Sequence, residues 1–150
     1  MAARPKRSKK RSAARPGQPP EPQLTCFVDE CLGRFAVPDA LRRAGVTVVA
    51  HHERFPSGTA DTHWLRALAD HPDWLVLTKD RGIQRRPLEQ QAYMNAGLRV
   101  FALTSANLTG PEQAGAFVRA LRKIRKLATR RGPFIAKVTA SGAVQILKPS

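Results

Sequence analysis

The sequence predicts an α/β fold: three α/β/α layers around a mainly parallel sheet, with a C-terminal β-hairpin. Three observations carry this reading. Short apolar runs alternate with helical patterns and short connections between residues 24 and 130, as expected of strands joined by crossover helices. The first run, Leu24-Thr25-Cys26-Phe27-Val28, shows no polar alternation, which suits a parallel strand covered on both faces. Near the C-terminus, Ser141-Gly142 separates two strand-like runs at residues 134–139 and 143–147, a hairpin signal.

Taken in order, residues 1–22 combine five prolines with seven basic residues and one acid, Glu21. With almost nothing to bury, they read as a disordered basic arm ahead of a domain at residues 23–150. After the first strand, Phe35, Val37, Leu41 and Ala44 share a helical face, Pro38 fits early in that helix, and Gly45 stops it. Residues 46–50 form a second strand. Residues 51–58 read as a polar loop. Thr59 is a capping candidate for a helix at residues 60–70, with Trp64, Leu65, Leu68 and Ala69 at helical spacing. A third strand occupies residues 74–77, a helix residues 88–96, and a fourth strand residues 99–103. Pro111 and Glu112 open a long helix to about residue 129, with Phe117, Leu121, Ile124 and Ala128 as its buried stripe.

Composition narrows the partners. The 150 residues include 26 Lys and Arg against 11 Asp and Glu, a net charge of +15. Without the arm, 19 basic and 10 acidic residues remain, a surplus of nine. A folded part this basic favours a polyanion, nucleic acid first. Residues 119–131 carry seven basic residues and no acid, so the stripe Arg119, Arg122, Lys123, Lys126 and Arg130 repels itself unless a polyanion or an acidic partner covers it. Cys26 and Cys31 make neither a disulfide framework nor a zinc set and read as a buried, reduced pair. No apolar run approaches the length of a membrane span, and the first residues lack an apolar leader, so a cytoplasmic protein is expected. His51, His52, His63 and His71 match no zinc spacing and read as surface or loop histidines.

Chemistry concentrates at strand ends. The first strand runs into Asp29-Glu30, and the third into Thr78-Lys79-Asp80. In open α/β sheets ligands gather beyond the carboxyl ends of the strands. Asp61 falls in the first turn of a helix, where the dipole favours a carboxylate. Singly, Asp61 reads as an ordinary first-turn acid and Asp80 as half of an ion pair with Arg81. Together, carboxylates at one rim repel unless neutralised, and a hard divalent cation neutralises them.

Phe27-Val28-Asp29-Glu30, then Gly58-Thr59-Ala60-Asp61, then Leu77-Thr78-Lys79-Asp80 resemble the PIN-like domain family, and more narrowly its small VapC-type toxin relatives. The resemblance covers residues 24–130. It implies a metal-dependent endoribonuclease that hydrolyses RNA phosphodiester bonds with Mg²⁺ or Mn²⁺. By position it makes Asp29, Asp61 and Asp80 catalytic metal ligands, while Glu30 either assists or points into the neighbouring helix. It also implies a toxin with a cognate antitoxin, and frequent homodimers. The chain departs from the family at residues 104–107, Thr-Ser-Ala-Asn, where another acid is common. Ser105 and Asn107 are therefore candidates for binding metal-bound water or substrate, and Thr78 for ordering a water. Lys79, Arg81, Arg85 and Arg86 flank the site, as contacts for RNA phosphates or as a solvated helix start. A non-catalytic nucleic-acid-binding module, using the arm and the basic helix, is the rival reading. A phosphoacceptor receiver-like domain fits poorly, because the fourth strand ends in Ala102-Leu103-Thr104 without a lysine.

Overall fold

A computed structural model describes residues 23–149. The arm expected at residues 1–22 lies outside them. Six strands form one sheet in the order β2-β1-β3-β4-β5-β6. They are β1 (Thr25–Val28), β2 (Thr47–Ala50), β3 (Leu75–Lys79), β4 (Arg99–Leu103), β5 (Phe134–Val138) and β6 (Val144–Lys148). The first five are parallel, and β6 runs antiparallel to β5. The expected hairpin is therefore part of the sheet: its first strand is the fifth parallel strand, and its second closes the edge.

Five α-helices connect the strands: α1 (Ala36–Arg43), α2 (His51–Arg54), α3 (Asp61–Leu68), α4 (Pro87–Asn95) and α5 (Gly110–Leu127). Alternate residues along the central strands feed two separate cores. Cys26, Val28, Leu75, Leu77, Phe101 and Leu103 face one core, which α1 and α5 cover. Phe27, Val76, Val100, Ala102 and Ile135 face the other, which α3 and α4 cover. That is why β1 and β3 read as unbroken apolar runs: neither face meets water.

Local chemistry explains the ends. Thr109 opens α5 through a reciprocal cap, its hydroxyl accepting from Glu112 N at 3.2 Å while Glu112 accepts from Thr109 N at 2.8 Å. Gly142 turns the hairpin at φ +89°, and a Cβ there would meet the Arg119 Cβ at 2.7 Å. Four sequence expectations are corrected. Residues 51–54 are helical rather than loop, because Glu53 accepts from Ala50 N and holds Arg42, each at 2.8–2.9 Å. Thr59 does not cap α3; Ala60 stands at that position, and the Thr59 hydroxyl turns back to the Pro56 carbonyl. Phe35 precedes α1 and is 70% exposed, outside the helix's buried face. His51 is buried against Phe27, Phe55 and Trp64 rather than at the surface.

The central strands should dominate stability. Leu77→Ala removes a fully buried β3 side chain and should cost about 2–5 kcal/mol. Leu88→Ala, at a position 86% exposed, should stay within about 0.5 kcal/mol. Urea unfolding of the two variants reads the difference directly.

Candidate active site

The strand order reverses direction between β1 and β3: the chain builds β2 on one side of β1, then crosses to β3 on the other. Helices leave such a point on opposite faces and open a crevice at the strands' carboxyl ends. Asp29 and Thr78 meet there. The Asp29 backbone N–H continues the ladder to the Leu77 carbonyl at 2.9 Å. Its side chain accepts the Thr78 hydroxyl at Oδ2, 2.7 Å away. Asp29 precedes a short 3₁₀ turn, Glu30–Leu32, yet makes no side-chain cap to it, so the carboxylate remains at the rim.

Cys31 joins this cluster. Its Sγ donates to Asp29 Oδ2 at 3.3 Å, lies 3.4 Å from Thr78 Oγ1, and accepts from Lys79 N at 3.3 Å. The expected buried pair is thus divided. Cys26 is in the core, whereas Cys31 keeps an exposed surface with its sulfur turned inward. Desolvation of that sulfur, reinforced by the Asp29 charge, pushes the thiol up to about 11.

Asp61 is brought in by aromatic packing. Phe27 on β1 stacks on Trp64 of α3, with ring centroids 5.5 Å apart. Trp64 then donates its indole N–H to Asp61 Oδ1 at 3.0 Å, one turn back at the start of α3. The residue two positions before Asp29 therefore helps set where Asp61 sits. Tyr93 of α4 is buried within reach of both acids' charge. Burial first, then the Asp29 charge, raises its phenol above the ordinary range, and Asp61 adds to the effect; the Thr78 hydroxyl opposes it. Tyr93 and Cys31 were missed in the sequence. Tyr93 reads as a core aromatic on a helix, and only tertiary packing takes it to the strand ends.

Asp80 follows β3 and donates its backbone N–H to the Leu103 carbonyl at 3.0 Å. Its partner is Arg86, not the adjacent Arg81: Arg86 Nε lies 3.3 Å from Oδ1, and Gly82 N donates to the same oxygen at 2.9 Å. Asp80 lines a cavity of about 600 Å³ together with Lys79, Arg81, Ser105 and Asn107. Of these, the Ser105 hydroxyl oxygen already accepts from Ala140 N at 2.9 Å. Asn107 stands in the left-handed region at φ 59°.

The three aspartates share a feature that the neighbouring glutamate lacks. Each has one carboxylate oxygen held by protein donors, while the other receives no hydrogen bond from the described residues. Glu30 spends both oxygens on the loop before α3, accepting from Ser57 Oγ and from Gly58 N. Those bonds, the Ser57 hydroxyl foremost, lower its pKa. It points neither to the acids nor into a neighbouring helix.

Among the described residues, no three His, Cys, Asp or Glu side chains form a cage for a metal ion. The donor set still fits a hard cation of the Mg²⁺ type, which takes oxygen ligands, keeps several waters, and needs one or two carboxylates plus substrate phosphate. Asp29, at the strand reversal with one oxygen open, is a donor of that kind.

The basic stripe lies elsewhere. Helix α5 starts at the rim, where Gln113 lines the cavity. It ends at the opposite edge, where Arg99, the first residue of β4, donates to the Ala128 carbonyl. Arg119, Arg122, Lys123, Lys126 and Arg130 are all exposed along this path. At about 1.5 Å per residue the stripe leads away from the acids.

Comparison with known proteins adds three findings. A family model described as "PIN like domain" matches residues 24–105. A Mycobacterium tuberculosis protein named "Putative ribonuclease VapC45" is 30% identical over 125 residues, which span 81% of this chain and 90% of that protein. No solved structure matches the chain.

The Cys31 surroundings predict a pH response. A thiol raised to about 11 carries little thiolate at pH 8.5, and the thiolate is the reactive form. Alkylation of Cys31 by iodoacetamide should therefore stay slow through pH 9 and rise toward pH 11. Asp29→Asn removes a charge that raises the thiol, so the rise should begin at lower pH. Equal onset in both proteins would contradict the contact.

Proposed function

Since the chain belongs to the PIN-like domain family, we propose that it is an endoribonuclease that hydrolyses RNA phosphodiester bonds with a divalent cation, Mg²⁺ or Mn²⁺. We place it in the cytoplasm as the toxin of a toxin–antitoxin pair, in keeping with the name of its mycobacterial relative. The observation that carries the reading is the placement of Asp29, held by Thr78, at the point where the strand order reverses. Asp61 and Asp80 reach the same rim, each with an open carboxylate oxygen.

In this reading Asp29 and Asp61 hold the cation, and Asp80 completes the acidic rim. The bound ion would neutralise the carboxylates and make water a nucleophile for in-line attack on phosphorus. The protein's own groups orient and hold. Thr78 donates a hydrogen bond to Asp29 Oδ2 and leaves Oδ1 without a donor among the described residues. The Trp64 indole does the same for Asp61. Arg86 holds Asp80 in place and offsets its charge, which lowers the repulsion that an approaching phosphate meets. Lys79 and Arg81, on the cavity wall, are placed for phosphate contact. A cognate antitoxin, or a second copy of the chain, would cover part of this rim or the α5 flank.

A second reading, a nucleic-acid-binding module without catalysis, is favoured by one observation: the exposed basic flank of α5. In that case binding survives loss of the acids. Each exposed Lys or Arg removed from the flank should then lower the salt slope by about one.

Cleavage of a mixed single-stranded RNA pool by the full chain, in Mg²⁺ or Mn²⁺ against EDTA, separates the two readings. Asp29→Asn should abolish metal-dependent cutting with the thermal midpoint retained. Thr78→Val should lower it roughly ten- to a hundredfold. Glu30→Gln should leave it within a few-fold, because both Glu30 oxygens serve the Ser57–Gly58 loop. Cutting that persists unchanged in Asp29→Asn would overturn the nuclease reading.

A further inference from the structure

The cavity beside Asp80 has two walls of different chemistry. One is cationic and is built by the exit of β3: Lys79, Arg81 and Arg85 line it. None of the three has a carboxylate partner among the described residues; Arg86 alone is paired there, with Asp80 and Glu89. The opposite wall carries two side-chain amides, Asn107 and Gln113. Gln113 is 6% exposed and donates its amide N–H to the Leu108 carbonyl at 3.3 Å. Its amide oxygen accepts no hydrogen bond from the described residues and so is available to a donor on a ligand. Asn107 stands at φ 59°, in the left-handed region where Asn is enriched among non-glycine residues. Its side-chain amide has no hydrogen bond within the described residues, so both its donor and acceptor remain available.

We propose that this cavity is a subsite for one unpaired nucleotide of the RNA substrate, with the phosphate on the cationic wall and the base edge read by Asn107 and Gln113. The inference rests on the ribonuclease reading for its occupant and extends it to substrate selection. At about 600 Å³ the cavity falls within the roughly 300–1,000 Å³ of small-molecule sites. That volume accommodates a single nucleotide. Proteins read RNA sequence mostly at such unpaired positions, where base edges are free for hydrogen bonds and guanidinium planes can stack on the ring. No aromatic side chain lines the cavity, so stacking there falls to the guanidinium planes of its arginines. Each amide presents one donor group and one acceptor, as base edges do. The subsite adjoins Asp80, so a nucleotide held there sets which neighbouring phosphodiester lies over the acids.

The test is calorimetric titration of the full chain in EDTA with the four ribonucleoside 5′-monophosphates, ribose 5-phosphate and inorganic phosphate. None of these contains a bond for the enzyme to cut. At least one nucleotide should bind about tenfold tighter than ribose 5-phosphate. Arg85→Ala should weaken every phosphate-bearing probe. Asn107→Gly, which keeps the left-handed backbone accessible, and Gln113→Leu should each erase the advantage of the nucleotide over ribose 5-phosphate. Arg43→Ala, at the last residue of α1, should change nothing. If Gln113→Leu lowers the thermal midpoint, Asn107→Gly decides alone. Equal affinity for all six probes, no binding by any of them, or a preference that survives Asn107→Gly would overturn the subsite. Nucleotide preference without RNA cleavage would overturn the nuclease reading and keep the pocket; cleavage without nucleotide preference would do the reverse.

Discussion

The parallel pairing of β1 with β3 is the constraint on which the rest of this structure depends. These strands are adjacent in the sheet but separated in the chain by β2 and three helices. Their pairing creates the reversal in strand order, and with it the crevice at the carboxyl rim. It also sets the register that puts Asp29 beside Thr78. A slip of one residue would turn Phe27 and Val76 toward the wrong core. Two full hydrophobic cores oppose that slip, so packing energy spread over the whole domain holds one 2.7 Å hydrogen bond in place.

The second organising device is the way acids are kept apart and oriented without a resident charge between them. Asp29 has Thr78 and Cys31, Asp61 has the Trp64 indole, and Asp80 has Gly82 N and Arg86. Neutral donors orient a carboxylate without cancelling its charge, so Asp29 and Asp61 keep their attraction for a cation. Arg86 makes Asp80 different: its charge is already met by a guanidinium. The rim thus grades from an anionic side at β1 to a cationic side beyond β3. The proposed reaction would use both, one for the ion and one for the phosphate backbone.

The exposed basic residues of α5 do not belong to that gradient. The helix begins at the rim and carries its charge toward the opposite edge, so a ligand touching both Asp29 and Arg130 must run down the flank of the domain. In the proposed reading, phosphate contact near the acids therefore falls to Lys79, Arg81 and Arg85, which line the cavity with Asp80, and the α5 stripe is left to longer-range attraction or a separate partner.

Much of the fold was legible in the amino-acid order, because period and punctuation are local properties. Unbroken apolar runs marked β1 and β3. Helical spacing marked α3 and α5, Gly45 and Gly97 marked helix ends, and Ser141-Gly142 marked the hairpin. The strand-end acids were legible for the same reason, since a strand that runs into Asp delivers it to the rim wherever the strand lies. What lay beyond local pattern was every property that depends on which segments meet. Arg86 rather than Arg81 holds Asp80, because a 3₁₀ turn at Ile83–Arg85 brings the later arginine back. Glu30 turns to the Ser57–Gly58 loop instead of the acids. Cys31 and Tyr93 join the site from a turn and from a helix that carry no motif. Hydrogen-bond partners, desolvation and cavities arise between residues distant in the chain, so the tertiary packing alone decided them.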